Sequence, residues 1–106
     1  MAKPTTEDLK AYSGIDYADD VVERNINRAL NAGIRLVEGG IGSDVFEVLP
    51  DERVTELALI YADDLYNGRG TLNSDSAKVS GATRRMVNDL EQQLKLEYRL
   101  AKEGAE

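Results

Sequence analysis

Apolar residues recur at three- and four-residue intervals along much of this chain, and this spacing constrains the fold more than any other feature. Between residues 22 and 37 they form one stripe of a helix, made of Val22, Ile26, Ala29, Leu30, Gly33 and Val37. Gly33 costs a helix about 1 kcal/mol relative to Ala, and a close helix crossing is one reason to tolerate it. The spacing predicts a long amphipathic helix that ends near Glu38, at flexible glycines.

Capping residues and breakers predict the other boundaries. Thr5 or Thr6 can cap a short first helix that Gly14 closes, and Asp16 is the expected N-cap of the second helix. Pro50 introduces a third helix over about 51–67, and the last helix is predicted over about 82–102. The segment VFEVLP, residues 45–50, alternates and is β-branched, which predicts a short extended piece.

The predicted fold is therefore all-α: a small bundle of one short and three longer helices in a single domain spanning residues 1–106. The Gly-, Ser- and Asn-rich segment 67–81 is predicted to be a long flexible loop between the last two helices, and residues 103–106 a tail.

The last two predicted helices each have apolar residues on more than one side. In the third helix the main stripe is Val54, Leu57, Ala58, Tyr61 and Leu65, and a second is Leu59, Ala62 and Tyr66. In the last helix one side is lined by Met86, Val87, Leu90, Leu94, Tyr98 and Ala101, and off that stripe lie Leu96 and Leu100. A helix apolar on two sides is either central in its domain or wedged between subunits. We expect these helices to offer apolar surface beyond what one small core needs.

Composition excludes several kinds of site. The chain has no Cys and no His, which removes disulfides, thiolate nucleophiles, Cys/His zinc sites and the usual general base at neutral pH. Its net charge is −7, and an acidic protein is poorly suited to binding phosphates tightly. No apolar run is long enough to span a bilayer and the N-terminus lacks a signal-peptide pattern, so we expect the cytoplasm of the producing cell.

Two acidic groups suggest chemistry at first sight. Asp63 and Asp64 are helix neighbours, so their carboxylates project about 100° apart and cannot share a proton as a catalytic dyad does. We expect a water-facing or interface role for both. A divalent ion is conceivable at the group of Asp16, Asp19, Asp20 and Glu23, but helix capping explains it more simply. No catalytic residue, metal or cofactor is predicted.

Basic residues of the last helix leave a second interpretation open. Five positions could face an acidic partner: Arg84, Arg85, Lys95, Arg99 and Lys102. They would suit a small helical DNA-binding regulator or packaging accessory protein, although the intervening acidic residues and the overall acidity disfavour it. A further alternative is an unrelated helical interaction module that only dimerises.

Five short motifs follow one another along the chain: Ile15-Asp16, Asp19-Asp20, Gly39-Gly40, Leu49-Pro50 and Tyr66-Asn67-Gly68-Arg69. Their order resembles the head–tail connector family of tailed double-stranded DNA phages, also called adaptor or head-completion proteins. The resemblance covers about residues 5–102. The chain departs from the family pattern in having Leu65-Tyr66 where a bulkier aromatic is common, and in the extra Gly68.

This resemblance implies a structural virion protein at the head–tail junction, present in the host cytoplasm during assembly. The chain would form a homo-oligomeric ring, dodecameric in the virion, between the portal protein and the tail or a stopper protein. DNA would pass through the ring without sequence-specific binding, no membrane would be involved, and no catalytic residues carry over. As interface candidates the sequence offers Leu59, Tyr66, Arg69, Leu96, Tyr98, Arg99 and Leu100.

Overall fold

The computed structural model describes residues 3–16, 19–67 and 81–104, and these ranges hold five α-helices and no strand. The helices are α1 (Thr6–Ser13), α2 (Asp20–Gly40), α3 (Val45–Val48), α4 (Glu52–Tyr66) and α5 (Gly81–Gly104). The predicted all-α bundle is confirmed. Most of the predicted 67–81 loop, and the last two residues of the predicted tail, lie outside the described ranges.

The first two helices begin at side-chain caps. Thr5 and Asp8 form a reciprocal capping box, in which each side chain accepts a hydrogen bond from the other's backbone N–H. Gly14 ends α1 in the left-handed conformation, with φ of +72°, as predicted. Asp19, not Asp16, caps α2, since its carboxylate accepts from the N–H groups of Val21 and Val22. The predicted N-cap at Asp16 is therefore wrong by three residues.

Two further boundaries differ from prediction. Residues 45–48 form a single helical turn and not an extended piece, with the N–H of Val48 donating to the carbonyl of Asp44. The neighbours Val45 and Phe46 are both buried, whereas a strand covered on one face would bury only one of them, because it points adjacent side chains to opposite faces. At the other end of the chain α5 continues to Gly104, so residues 103–104 of the predicted tail are helical.

The core is built around the crossing of α2 and α4. A Cβ atom added at Gly33 would lie 2.7 Å from the carbonyl oxygen of Ala58 and 2.9 Å from the amide nitrogen of Ala62. The two helix backbones therefore approach to a distance that only glycine allows. The close crossing predicted from Gly33 is present.

Helix α4 is the central helix of the domain. Val54, Leu57 and Ala58 of its main stripe are fully buried, and from its second stripe Leu59 and Ala62 are also buried. Helix α1 packs on α4 as well as on α2, and its Leu9 is fully buried in the same core. The expected surplus of apolar surface on this helix is thus wrong for Leu59 and Ala62, which the chain covers itself.

Candidate interaction surface

Helix α5 packs against the other helices through one side only. Val87 and Leu94 are buried in the core, and beside them Leu90 and Tyr98 are partly buried. These residues recur at three- and four-residue spacing and define the inner side of α5.

A carboxylate–guanidinium group connects the middle of α5 to the start of α4. The Arg53 guanidinium donates to both carboxylate oxygens of Glu97, at 2.8 and 2.6 Å, and also to Asp51. The hydrogen bonds from Arg53 lower the pKa of Asp51 to about 2 and also lower the pKa of Glu97. Asp51 caps α4, so the Arg53 guanidinium binds both the cap of that helix and Glu97 of α5.

A second polar group holds the C-terminal half of α5. The Tyr98 hydroxyl donates to one carboxylate oxygen of Asp44 at 2.5 Å, and the Lys102 ammonium donates to the other at 2.9 Å. Hydrogen bonds from Tyr98 and then Lys102 lower the pKa of Asp44, whereas the hydrogen bond to Asp44 raises the pKa of the Tyr98 phenol. The Tyr98 ring lies over Gly42, where an added Cβ would sit 2.7 Å from its Cε2 atom.

A third polar contact links the N-terminal half of α5 to the core. The Tyr61 hydroxyl donates to the Glu91 carboxylate at 3.1 Å. Burial, followed by the nearby charge of Glu91, raises the pKa of Tyr61. The three polar contacts all lie between Glu91 and Lys102, so this part of α5 is held by them as well as by a narrow apolar strip.

The opposite side of α5 is exposed and partly apolar. The side chains of Met86, Leu96 and Leu100 are 63%, 53% and 57% exposed. At 100° per residue these three lie within about 80° of one another around the helix axis, so they share one face. The prediction that Met86 belongs to the inner side is wrong, because Leu94 and Val87 orient the helix so that Met86 points away from the core.

The structure brings together only part of the predicted interface. Leu96, Arg99 and Leu100 are exposed along α5, whereas Leu59 lies in the core and Tyr66 is half-buried against it. Tyr98 lies on the inner side and is held by Asp44. Arg69 lies outside the described residues.

We define the outer face of α5 as the exposed positions that surround Leu96 and Leu100. They are Arg85, Met86, Asp89, Gln92, Gln93, Leu96, Arg99, Leu100 and Glu103. The sequence prediction named Leu96, Arg99 and Leu100 of this set but missed Met86 and the other polar members. Their repeating spacing of one, three and three residues is the signal that could have identified them.

Among the side chains that the structure describes, the basic positions of α5 do not all lie in one patch. Lys95, Arg99 and Lys102 line one depression together with Glu103, and Arg85 lies apart from them. Arg85 and Arg99 belong to the outer face, where Asp89 and Glu103 lie among them, and Lys102 is engaged with Asp44. Lys95 is half-buried. This mixed arrangement lacks the uniform positive face that binding of phosphates favours.

The Asp63-Asp64 pair is split between two environments. Asp63 is half-buried and accepts a 2.6 Å hydrogen bond from the Ser13 hydroxyl of α1, whereas Asp64 is only 4% exposed. The expected water-facing role is therefore wrong for Asp64. The divergent environments fit two helix neighbours that point in different directions.

The acidic group before and within α2 is engaged in local contacts. Asp19 caps the helix, and Glu23 forms an ion pair with Lys10 of α1. In the described parts of the chain, no three acidic side chains come close enough to hold a metal ion. Nor does any helix within those parts have the length and apolar character required to cross a bilayer.

Comparisons with protein-family models, with curated proteins and with solved structures find no match for this chain. The resemblance to phage connectors therefore stays a prediction from the sequence motifs. A function for this chain has to be inferred from those motifs and from the outer face of α5.

Proposed function

We propose that this chain is a structural subunit of the head–tail connector of a tailed double-stranded DNA phage. In this proposal copies form a ring between the portal vertex and the tail and line the channel through which DNA passes. The connector-like motifs supply the assignment to this class. The proposal contains no catalytic step, no cofactor and no sequence-specific contact with DNA.

The exposed Leu96 and Leu100 on α5 are the observation that carries the proposal. Both side chains are more than half exposed, although the described part of the chain buries sixteen apolar side chains in its core. Burying a leucine is worth about 1.5–3 kcal/mol, so a surface that pairs two of them with Met86 favours contact with another protein. A ring subunit requires such a surface for its neighbour or for the portal.

The charge of the chain supports the channel role. The net charge is −7, and a lumen of the same sign as DNA lets the duplex slide without attractive phosphate contacts. The same acidity disfavours the alternative of a DNA-binding regulator or packaging accessory protein.

The proposal is tested by mixing the purified chain with the portal protein of the same phage and imaging the product by electron microscopy. We expect rings on the portal with the wild-type chain and their loss with Leu96→Asp, while circular dichroism shows that the variant stays folded. The matched control is Asn88→Asp, which adds the same charge to an exposed position of α5 outside the outer face. Rings should form with this control.

Three results would contradict the proposal, each in a different part. A wild-type chain that neither forms rings nor binds portal removes the connector function. Rings that survive Leu96→Asp and Leu100→Asp keep the function but place the interface elsewhere. Salt-sensitive DNA binding that disappears in Arg84→Ala and Arg85→Ala would instead favour the regulator.

A further inference from the structure

The outer face of α5 is one continuous exposed stripe, and its apolar members are Met86, Leu96 and Leu100. Its nine positions repeat every seven residues from Arg85 to Glu103, and all nine are exposed. A seven-residue repeat of this kind keeps one stripe facing a partner helix along its whole length. The inner side of α5 is already occupied by the core, whereas the outer face is exposed along its whole length.

Four charged side chains on this face have no ion-pair partner within the described part of the chain. They are Arg85, Asp89, Arg99 and Glu103. Two are cations and two are anions, so the face carries no net charge of its own. This balance matters because most of the chain is acidic.

The order of these charges is self-complementary when a second copy runs in the opposite direction. Arg85 lies nine positions before Leu94 and Glu103 lies nine after it. Asp89 lies five positions before Leu94, and Arg99 lies five after it. A two-fold axis at the level of residue 94 therefore brings each cation to the height of an anion on the other copy.

We propose that two copies of this chain pair through the outer faces of α5 as an antiparallel two-fold dimer. Arg85 then faces Glu103 of the second copy and Asp89 faces Arg99 of the second copy, which gives four ion pairs by symmetry. Met86 and Leu100 of opposite copies lie within two positions of each other in height, about 3 Å along the axis. Leu96 meets its symmetry mate close to the two-fold axis.

The polar centre of the face fits the same register. Gln93 lies one position from the axis, so the two Gln93 amides come side by side and can hydrogen-bond to each other. A polar pair placed between the apolar residues of a helix interface selects register and orientation. A parallel in-register pair would instead place Asp89 against Asp89 and Glu103 against Glu103, and like charges at one level repel.

The dimer is expected to be weak and dependent on concentration. One helix pair buries less surface than a standard stable interface, and exposed ion pairs contribute at most about 1 kcal/mol each. The contact closes at two copies, since each outer face is used completely. This inference does not depend on the connector function; if both hold, the dimer must open before Leu96 and Leu100 can join a ring.

Analytical ultracentrifugation of the free chain, without portal, tests the pairing. We expect a reversible monomer–dimer equilibrium that Arg85→Glu weakens about tenfold, because the reversal turns two attractive pairs into repulsive ones. Combining Arg85→Glu with Glu103→Arg should restore the wild-type affinity. The matched control is Arg28→Glu, an equal charge reversal at an exposed position of α2, which should leave the equilibrium unchanged.

The orientation is tested by disulfide trapping, for which the chain is suited because it contains no cysteine. Met86→Cys and Leu100→Cys are purified separately, mixed and mildly oxidised. Antiparallel pairing predicts a mixed disulfide between the two variants and little of either homodisulfide. Predominant homodisulfides, or a chain that stays monomeric at about millimolar concentration, would overturn the proposal.

Discussion

Helices α2 and α4 meet backbone to backbone across Gly33, whereas α5 meets the same domain through side-chain tips. The first contact excludes water and depends on shape, because Ala58 and Ala62 leave no room for a Cβ. The second combines a narrow apolar strip with carboxylates that water can also reach. The domain therefore joins a rigid pair of helices to a helix whose position depends on ionisation.

The largest expected effect comes from placing a charge at the centre of the rigid pair. Leu57 is fully buried on α4, and Leu57→Asp would bury a carboxylate without a partner, so we expect the whole domain to unfold. Circular dichroism and thermal melting provide the measurement. Leu57→Met is the control, since a volume-conserving swap should cost less than about 1.5 kcal/mol. A variant with aspartate that kept its helicity and melting point would show that Leu57 does not face the core.

A smaller loss is expected when the close crossing is widened. Gly33→Ala should reduce the free energy of unfolding by about 1–3 kcal/mol, because the new methyl group would overlap the backbone of α4. The matched control is Gly39→Ala on the same helix, where an added Cβ has no neighbour within 4 Å. That change should stabilise the protein by about 0.5–1 kcal/mol. Denaturant unfolding measures whether each variant lowers or raises the free energy of unfolding. Equal changes in the two variants would refute the close crossing at Gly33.

Adding a methyl group at Gly42, where the Tyr98 ring of α5 packs, should have a more local effect. In Gly42→Ala the new methyl group would displace the Tyr98 ring from Asp44, so we expect the C-terminal half of α5 to detach at a cost of about 1–2 kcal/mol. Hydrogen exchange should show faster exchange of α5 amides, while the amides of α2 and α4 keep their protection. Uniform destabilisation of all the helices would mean that α5 belongs to the same cooperative unit.

The smallest expected effect is that of mild acid, which should weaken the docking of α5 before it affects the pair of α2 and α4. Docked α5 keeps the pKa values of Asp44 and Glu97 below their ordinary values of 3.8 and 4.5. The detached helix therefore binds protons more readily, so docking is strongest above about pH 5 and weakens as the pH falls through the lowered pKa values. We expect α5 amides to lose protection at a higher pH than those of α2.

The Glu97→Gln variant provides the control for the acid experiment. It removes one titrating group while keeping the side chain's size, so the acid transition of α5 should become shallower. Because Arg53 and Glu97 are each about one-third exposed, we expect the substitution itself to change stability only slightly at neutral pH. A transition that keeps the same slope would show that Glu97 does not contribute to docking.

Local rules predicted the parts of the fold that local chemistry decides. Thr5, Gly14 and Leu57 were assigned correctly because capping, left-handed backbone and helix periodicity depend on near neighbours. Residues 45–48 were assigned wrongly because four residues are too few to separate a helical period from an alternating one. Asp19 replaced Asp16 as the cap because both are competent and the rest of the fold selects between them.

The candidate surface was predicted only in part for a related reason. Periodicity identifies the stripes of α5 but not which residues of a stripe face the core. It correctly separates Leu96 and Leu100 from the inner side of the helix but wrongly assigns Met86 to that side. The pairing of Arg53 with Glu97 joins residues far apart in the chain and leaves no local pattern. The burial of Asp64 depends on how the other helices pack around α4. The sequence pattern of α4 does not show that packing, so the prediction for Asp64 is wrong.

The glycine at position 33 also has a bearing on how this sequence can vary. Where two main chains touch, neither partner can gain a side chain unless the other retreats, so Gly33, Ala58 and Ala62 are tied together as a set. Substitutions at exposed positions of α2 can accumulate one at a time, whereas an enlargement at this contact destabilises the domain unless both helices shift together.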